Sequence, residues 1–188
     1  RELHDDSISR TSFGGTGASM SNHGGIERPL VRQPSTLMFI DVCDSTRLTR
    51  ELGDLAYLDR QRKALAGARA AIVAEGGRVV LGLNAGDGLL ATFDGPIAAA
   101  RAARKVHRAA RDAGLEVRVG IHHGDIIAES GNVYGHNVNV AARVCDAAEA
   151  NTTLVTSEVV SLLTGATSVQ FVDKGEFKLK GLSESTRL

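Results

Sequence analysis

The segment Val133-Tyr134-Gly135-His136-Asn137-Val138-Asn139-Val140-Ala141-Ala142-Arg143 places an amide and a guanidinium four residues apart in a largely apolar run. On a helix, residues i and i+4 share a face, so Asn139 and Arg143 would address one target together. Arginine carries a fixed fork of donors suited to phosphate oxygens, and asparagine both donates and accepts. The plain alternative is an arginine at the edge of an apolar helix that reaches out to water. Two carboxylates add to this pair. Asp41 follows the apolar run Leu37-Met38-Phe39-Ile40, and Asp87 sits in the turn Asn84-Ala85-Gly86-Asp87-Gly88. Carboxylates at adjacent strand ends can hold two divalent cations that clamp both oxygens of a phosphoryl displacement. Mg²⁺ suits such a place, because it prefers a few carboxylates plus substrate phosphates to an all-protein cage. Cys43-Asp44-Ser45-Thr46 leads into a helix start, where free backbone N–H groups favour an anion such as a triphosphate. Each aspartate could instead merely begin a turn or cap a helix.

These residues need elements to position them. Leu37 to Ile40 reads as a buried strand delivering Asp41 at its C-terminal end. Ser45-Thr46 open a long helical stretch to Ala74 with a break near Gly53-Asp54, and Gly76-Gly77 end it. Val79 to Leu83 and Leu89 to Phe93 read as a hairpin with Asp87 at its tip. Pro96 fits the first turn of a helix running from Ala98 to about Asp112. Val117 to His122 and Asp125 to Ala128 read as two strands, followed by the Asn139/Arg143 helix. Leu154-Val155-Thr156 is a strand, Ser157 caps a short helix, and Phe171 to Leu179 supplies the last one or two strands. Strands alternate with helices while hairpins recur, so the expected class is α/β with a mixed, mostly antiparallel sheet.

Composition narrows the function. The 188 residues are 43% hydrophobic with zero formal net charge, enough for one cored domain and no pointer to nucleic acid or a membrane surface. Aromatic content is 4% with no Trp, which weakens base-stacking readings further. Cys43 and Cys145 lack metal-type spacing and read as free thiols of a cytoplasmic protein. No apolar run approaches the ~18 residues that span a bilayer. Residues 1–34 are rich in Gly, Ser and Thr without hydrophobic period and read as a flexible leader or linker, leaving 35–188 as the domain. His122, His123 and His136 do not make a metal site, since adjacent strand residues face opposite ways; His122 reads as a packed histidine and Cys145 as a small core residue. The Arg-rich run from Ala98 to Arg111 reads as a solvated helix face.

Taken in order, several segments resemble the catalytic domain of class III nucleotidyl cyclases of bacterial type. They are Phe39-Ile40-Asp41-Val42 with Ser45-Thr46-Arg47-Leu48 and Glu51-Leu52-Gly53-Asp54, then Gly86-Asp87-Gly88-Leu89-Leu90-Ala91-Thr92-Phe93. Val119-Gly120-Ile121-His122 with Gly124, Val133 through Arg143, and Gly175-Glu176 with Leu179-Lys180-Gly181 complete the set. The resemblance covers roughly residues 36 to 188 and implies a ferredoxin-like βαββαβ core. It implies that Asp41 and Asp87 bind two Mg²⁺ or Mn²⁺ ions, with the Val42 backbone carbonyl assisting. Asn139 would orient the ribose, Arg143 would stabilise the pentavalent phosphorus, and Lys180 would contact the terminal phosphates. It further implies a head-to-tail homodimer acting on ATP, each site taking aspartates from one chain and Asn/Arg from the other.

Departures from the family pattern fall on base recognition. The family selects its purine with a Lys four residues before the second metal Asp and an Asp seven residues before the ribose Asn; here Leu83 and Asn132 stand there. Leucine has no donor for a base edge. The hairpin is about two residues longer than the pattern, so Leu81 or Asn84 could take the lysine's place, and Asn84 could bond a base. Asp44 replaces a phosphate-loop glycine, where a carboxylate repels a triphosphate unless a metal or Arg47 screens it, and where it strains the turn. The leading expectation is an adenylate cyclase making 3′,5′-cyclic AMP and pyrophosphate. The alternatives are a weak or inactive cyclase-homology module with a regulatory or dimerisation role, and one half of a heterodimer.

Overall fold

The computed structural model describes residues 30–80, 86, 88–166 and 169–188. An eleven-residue strand, β1 (Arg32–Val42), forms the middle of the sheet. It is followed by α1 (Ser45–Leu52), α2 (Asp54–Ala74), β2 (Arg78–Val79), β3 (Gly88–Phe93), α3 (Pro96–Asp112) and β4 (Val117–Glu129). The strand order β2-β3-β1-β4 with this succession is the ferredoxin-like βαββαβ core. β5 (Asn132–Tyr134) extends the sheet beyond β4, then come α4 (His136–Ala147), β6 (Thr153–Val155) and α5 (Ser157–Leu163). β6 pairs with β4 in parallel and every other ladder is antiparallel, so the sheet is mixed and mostly antiparallel.

Alternation along β1 divides its side chains between two cores. Met38, Ile40 and Val42 face α2, α3 and α5, joining Ala64, Ala68, Ile72, Ala102, Val106 and Val159. Leu37 and Phe39 face the other way, with Leu90, Ile126, Val138 and Ala141. Asp41 has the parity of Leu37 and Phe39, so it shares the α4 side of the sheet. On β4, Val117, Val119 and Ile121 enter the first core, which leaves Arg118, Gly120, His122 and Gly124 under α4.

Some boundaries differ from those the sequence suggests. The domain reaches back to Arg32, because Arg32, Gln33 and Pro34 pair with Ile127, Ile126 and Asp125. Pro34 marks no boundary: the β3 ladder starts only at Thr36, so on that side the strand is an edge where a missing N–H costs nothing. β4 is one continuous strand through Gly124 rather than two. Ser157 is the first helical residue of α5 and Thr156 is its N-cap, without a side-chain cap. The region from Phe171 to Leu179 yields only β7 (Glu176–Phe177), whose partner β8 (Thr186–Arg187) lies beyond it. Among the described residues, no helix is long and apolar enough to cross a membrane.

Candidate active site

β1 delivers Asp41 half-buried at its end, with Gly88 of β3 on one side and Arg118 of β4 on the other in register. Arg118 donates from Nε (2.9 Å) and Nη2 (2.6 Å) to the same oxygen, Oδ2. Oδ1 is thereby left as an oxygen donor on the Gly88 side, where an added Cβ would stand 3.8 Å from it, in ordinary contact. One carboxylate oxygen, an adjacent backbone carbonyl at Val42 and an anionic substrate make a hard-oxygen donor set of the kind Mg²⁺ and Mn²⁺ accept. Val42 has its side chain buried, so only its carbonyl could serve. Among the described residues, no three His, Cys, Asp or Glu side chains form a ready metal cage. Asp87, Leu83 and Asn84 lie outside the described residues.

The turn after β1 leads into α1. Asp44 is its N-cap in the left-handed region (φ 55°), a conformation aspartate tolerates better than most residues. Its carboxylate accepts from Arg47 Nη2 (3.0 Å) and Nε (3.3 Å), and Arg47 also reaches Glu51 at 3.0 Å. The charge expected to repel a phosphate is therefore screened by Arg47, as the sequence suggested. Ser45 is half-buried and Thr46 exposed at the start of α1.

α4 carries the other group. Val138, Ala141, Val144 and Cys145 bury its sheet side, and Val140 and Val144 pack on Leu179 and Leu188. Asn139 is exposed and Arg143 half-exposed on the face left over. Arg143 Nη1 donates to Asp146 Oδ2 (2.7 Å), and Arg118 Nη1 donates to the Asp146 carbonyl (3.0 Å). A row of alternating charge thus runs Asp41, Arg118, Asp146, Arg143 along one side of the sheet. Lys180 is exposed in the turn after β7, next to Leu179, which anchors that turn to α4. Asn132 is half-buried at the start of β5, opposite Glu129.

Arg118 and Asp146 were not among the residues singled out from sequence. The available signal was parity: Arg118 stands four residues before His122 on β4, so both point to α4. His122 is 7% exposed and bonds Thr156 and Asn137, a packed histidine as expected. Cys145 is buried, and burial pushes its thiol pKa up to about 12.

Known proteins resemble this chain in sequence and fold. The model of the adenylate and guanylate cyclase catalytic domain matches residues 90–187. A crystal structure of an adenylate/guanylate cyclase/hydrolase from Silicibacter pomeroyi is 31% identical, with a TM-score of 0.74, covering 84% of this chain and 95% of that one. The adenylyl cyclase CyaB from P. aeruginosa has the same fold, with a TM-score of 0.74, 23% identity, and coverage of 84% of this chain and 92% of that one. An uncharacterized Mycobacterium tuberculosis protein, Rv2212, is 32% identical over 127 residues, which is 66% of this chain and 33% of that protein. The chain spans 19% to 33% of the length of the curated relatives it matches. The chain belongs to the adenylate and guanylate cyclase catalytic domain family, class III.

Proposed function

We propose that the chain is an adenylate cyclase, converting ATP to 3′,5′-cyclic AMP and pyrophosphate at two composite sites of a head-to-tail homodimer. The observation that carries this is the presence, in one chain, of every residue the chemistry needs: Asp41, Asp87, Asn139 and Arg143. Two Mg²⁺ or Mn²⁺ ions, held by Asp41, Asp87 and the Val42 carbonyl, would activate the ribose 3′-hydroxyl and neutralise the triphosphate. The protein's own part is positioning and charge. Asn139 orients the ribose, so that its 3′-oxygen lies in line with the α-phosphorus. Arg143 spreads its guanidinium over the oxygens of that phosphorus as the bond to pyrophosphate breaks. Lys180 meets the terminal phosphates, and the N-terminal turn of α1 at Ser45 and Thr46 offers backbone N–H groups to them. Asn132 faces the adenine amino group, and Leu83 and Asn84 contribute the rest of the base pocket. Free thiols at Cys43 and Cys145 suit a cytoplasmic setting.

A weak or non-catalytic regulatory module is the second reading. Leu83 and Asn132 in place of the family's base-selecting pair favour it.

Complementation tests the proposal. Asp41→Ala and Arg143→Ala should each abolish cyclic AMP formation with Mn²⁺. Mixing the two variants rebuilds one intact site in each heterodimer, which returns about a quarter of wild-type activity on random exchange. No recovery from proven heterodimers refutes the composite site, and silence of the wild-type dimer with both ATP and GTP transfers the assignment to the regulatory module.

A further inference from the structure

Asn137 stands in the first turn of α4, two residues ahead of Asn139. Its Nδ2 donates to the Asp125 carbonyl (2.8 Å), which turns Oδ1 toward His122 Nε2, 3.1 Å away. The other ring nitrogen, Nδ1, lies 3.0 Å from Thr156 Oγ1 at the junction of β6 and α5. Burial lowers the His122 pKa, against smaller opposing effects of the Asn137 hydrogen bond and the Glu158 charge. Asn137 Oδ1 can only accept, so Nε2–H donates to it, while Nδ1 faces the Thr156 hydroxyl and, 4.0 Å away, the Glu158 carboxylate. Thr156 is itself fully buried, and its N–H donates to the Ile121 carbonyl. This polar line joins β4, α4 and the β6–α5 junction, buried at His122 and Thr156 and open to solvent at the Asn137–Asp125 end.

Gly124 belongs to the same arrangement. A Cβ at this position would stand 2.5 Å from Asn137 Nδ2 and 2.6 Å from its Cγ. The backbone there is not left-handed, so the glycine is required for space: the Asn137 carboxamide lies directly on β4. Little freedom remains for the first turn of α4 to rotate about its axis. Every side chain further along the helix, Asn139 and Arg143 included, follows that rotation.

We infer that His122 and Asn137 are positioning residues, which set the rotation of α4 on β4 and so aim Asn139 and Arg143 at the reacting phosphate. This rests on the cyclase reading proposed above. A histidine that merely filled space would be replaced equally well by leucine. One that holds Asn137 by a hydrogen bond is replaced by glutamine, whose amide nitrogen can stand where Nε2 does, and not by leucine.

The experiment compares wild type, His122→Leu, His122→Gln and Asn137→Ala in the full chain, with dimer state and melting temperature measured for each. His122→Leu and Asn137→Ala should lose about tenfold in kcat with KM for ATP within about twofold, a small aiming error at a preorganised site. His122→Gln should retain more than about half of wild-type kcat, because the donor to Asn137 survives. Equal kcat for the leucine and glutamine variants overturns the inference, as does a loss in melting temperature with kcat per folded dimer unchanged. If Asn137→Ala does not fold, the His122 pair decides alone. A wild-type dimer without turnover refutes the cyclase reading and this role with it, whereas an active wild type with indistinguishable His122 variants refutes the role only.

Discussion

Gly120→Ala is the substitution whose consequence follows most directly from the packing of α4. An ideal Cβ at Gly120 would lie 2.2 Å from the backbone nitrogen of Cys145, 2.6 Å from its Cα and 2.8 Å from its Cβ. Non-bonded heavy atoms prefer roughly 3.5 Å, so the overlap with the nitrogen is about 1 Å. The obstacle is the helix backbone, which cannot turn aside as a flexible side chain would. Val138, Ala141 and Val144 hold that helix on the sheet, so relief requires lifting a packed element. Overpacking commonly costs about 1–3 kcal/mol, and a backbone obstacle places this case at about 3 kcal/mol or above. In a chain of this size 1 kcal/mol corresponds to about 2–4 °C in Tm, so a fall of about 6–12 °C is expected. Gly95→Ser is the control: its backbone is extended, nothing lies within 4 Å of its Cβ position, and serine serves at an N-cap at least as well as glycine. Thermal and urea unfolding followed by far-ultraviolet circular dichroism measure both variants. A Gly120→Ala protein melting within about 2 °C of wild type would refute the close seating of α4 on β4. With it would go the aiming of Asn139 and Arg143 by β4.

Two further expectations concern titration and thiol access. Burial, with a smaller contribution from the Arg111 charge, lowers the pKa of His107, whose Nε2 bonds Thr153 Oγ1 at 2.9 Å while its buried Nδ1 has no partner among the described residues. The unfolded chain takes up this proton at the ordinary histidine value of about 6.5, and the folded chain only at lower pH. Stability is therefore undiminished above that pH and falls as pH drops below it, and urea melts from pH 7 to 5 should show a shallower fall for His107→Leu than for wild type. An equal slope in both proteins would remove His107 from the acid limb. Burial also raises both thiol pKa values, Cys145 to about 12, and Cys43 is only half-buried where Cys145 is fully so. Iodoacetamide at pH 8, followed by mass spectrometry, should modify Cys43 slowly and Cys145 only as the fold opens. Faster labelling of Cys145 than of Cys43 would contradict the packing of α4.

Much of this architecture was legible from local pattern. The apolar run ending at Asp41, the Gly53 break between α1 and α2, Pro96 at the start of α3 and the apolar face of α4 each declare themselves within a dozen residues. Features that depend on pairing across the chain did not. Arg118 looks like a solvated strand residue until the register sets it opposite Asp41, 77 residues away. Gly124 reads as a strand break because its reason, the Asn137 carboxamide lying on it, belongs to another element. Asn137 itself was overshadowed by Asn139, although its bonds to Asp125 and His122 make it the better-anchored amide. Pro34 suggested a boundary because proline usually interrupts a ladder, and only the strand order reveals that its N–H side there is an edge.

The pairing of β1 with β4 also governs when the molecule can become itself. Their partners, from Val42 with Val117 to Arg32 with Ile127, are separated by about 75 to 95 residues, a non-local closure that slows folding. During synthesis at roughly 5–20 residues per second, several seconds pass between the emergence of β1 and that of β4. Over that interval the apolar strand Leu37–Val42 has an open edge, a liability for association with other nascent chains. Arg118, Gly120, His122 and Gly124 all travel on the late strand, and β6 and α4 follow later still. The half of the candidate site built on α4 therefore assembles in the last stage of folding, and chaperone supply during translation should influence the yield of folded protein more than the stability of the finished domain does.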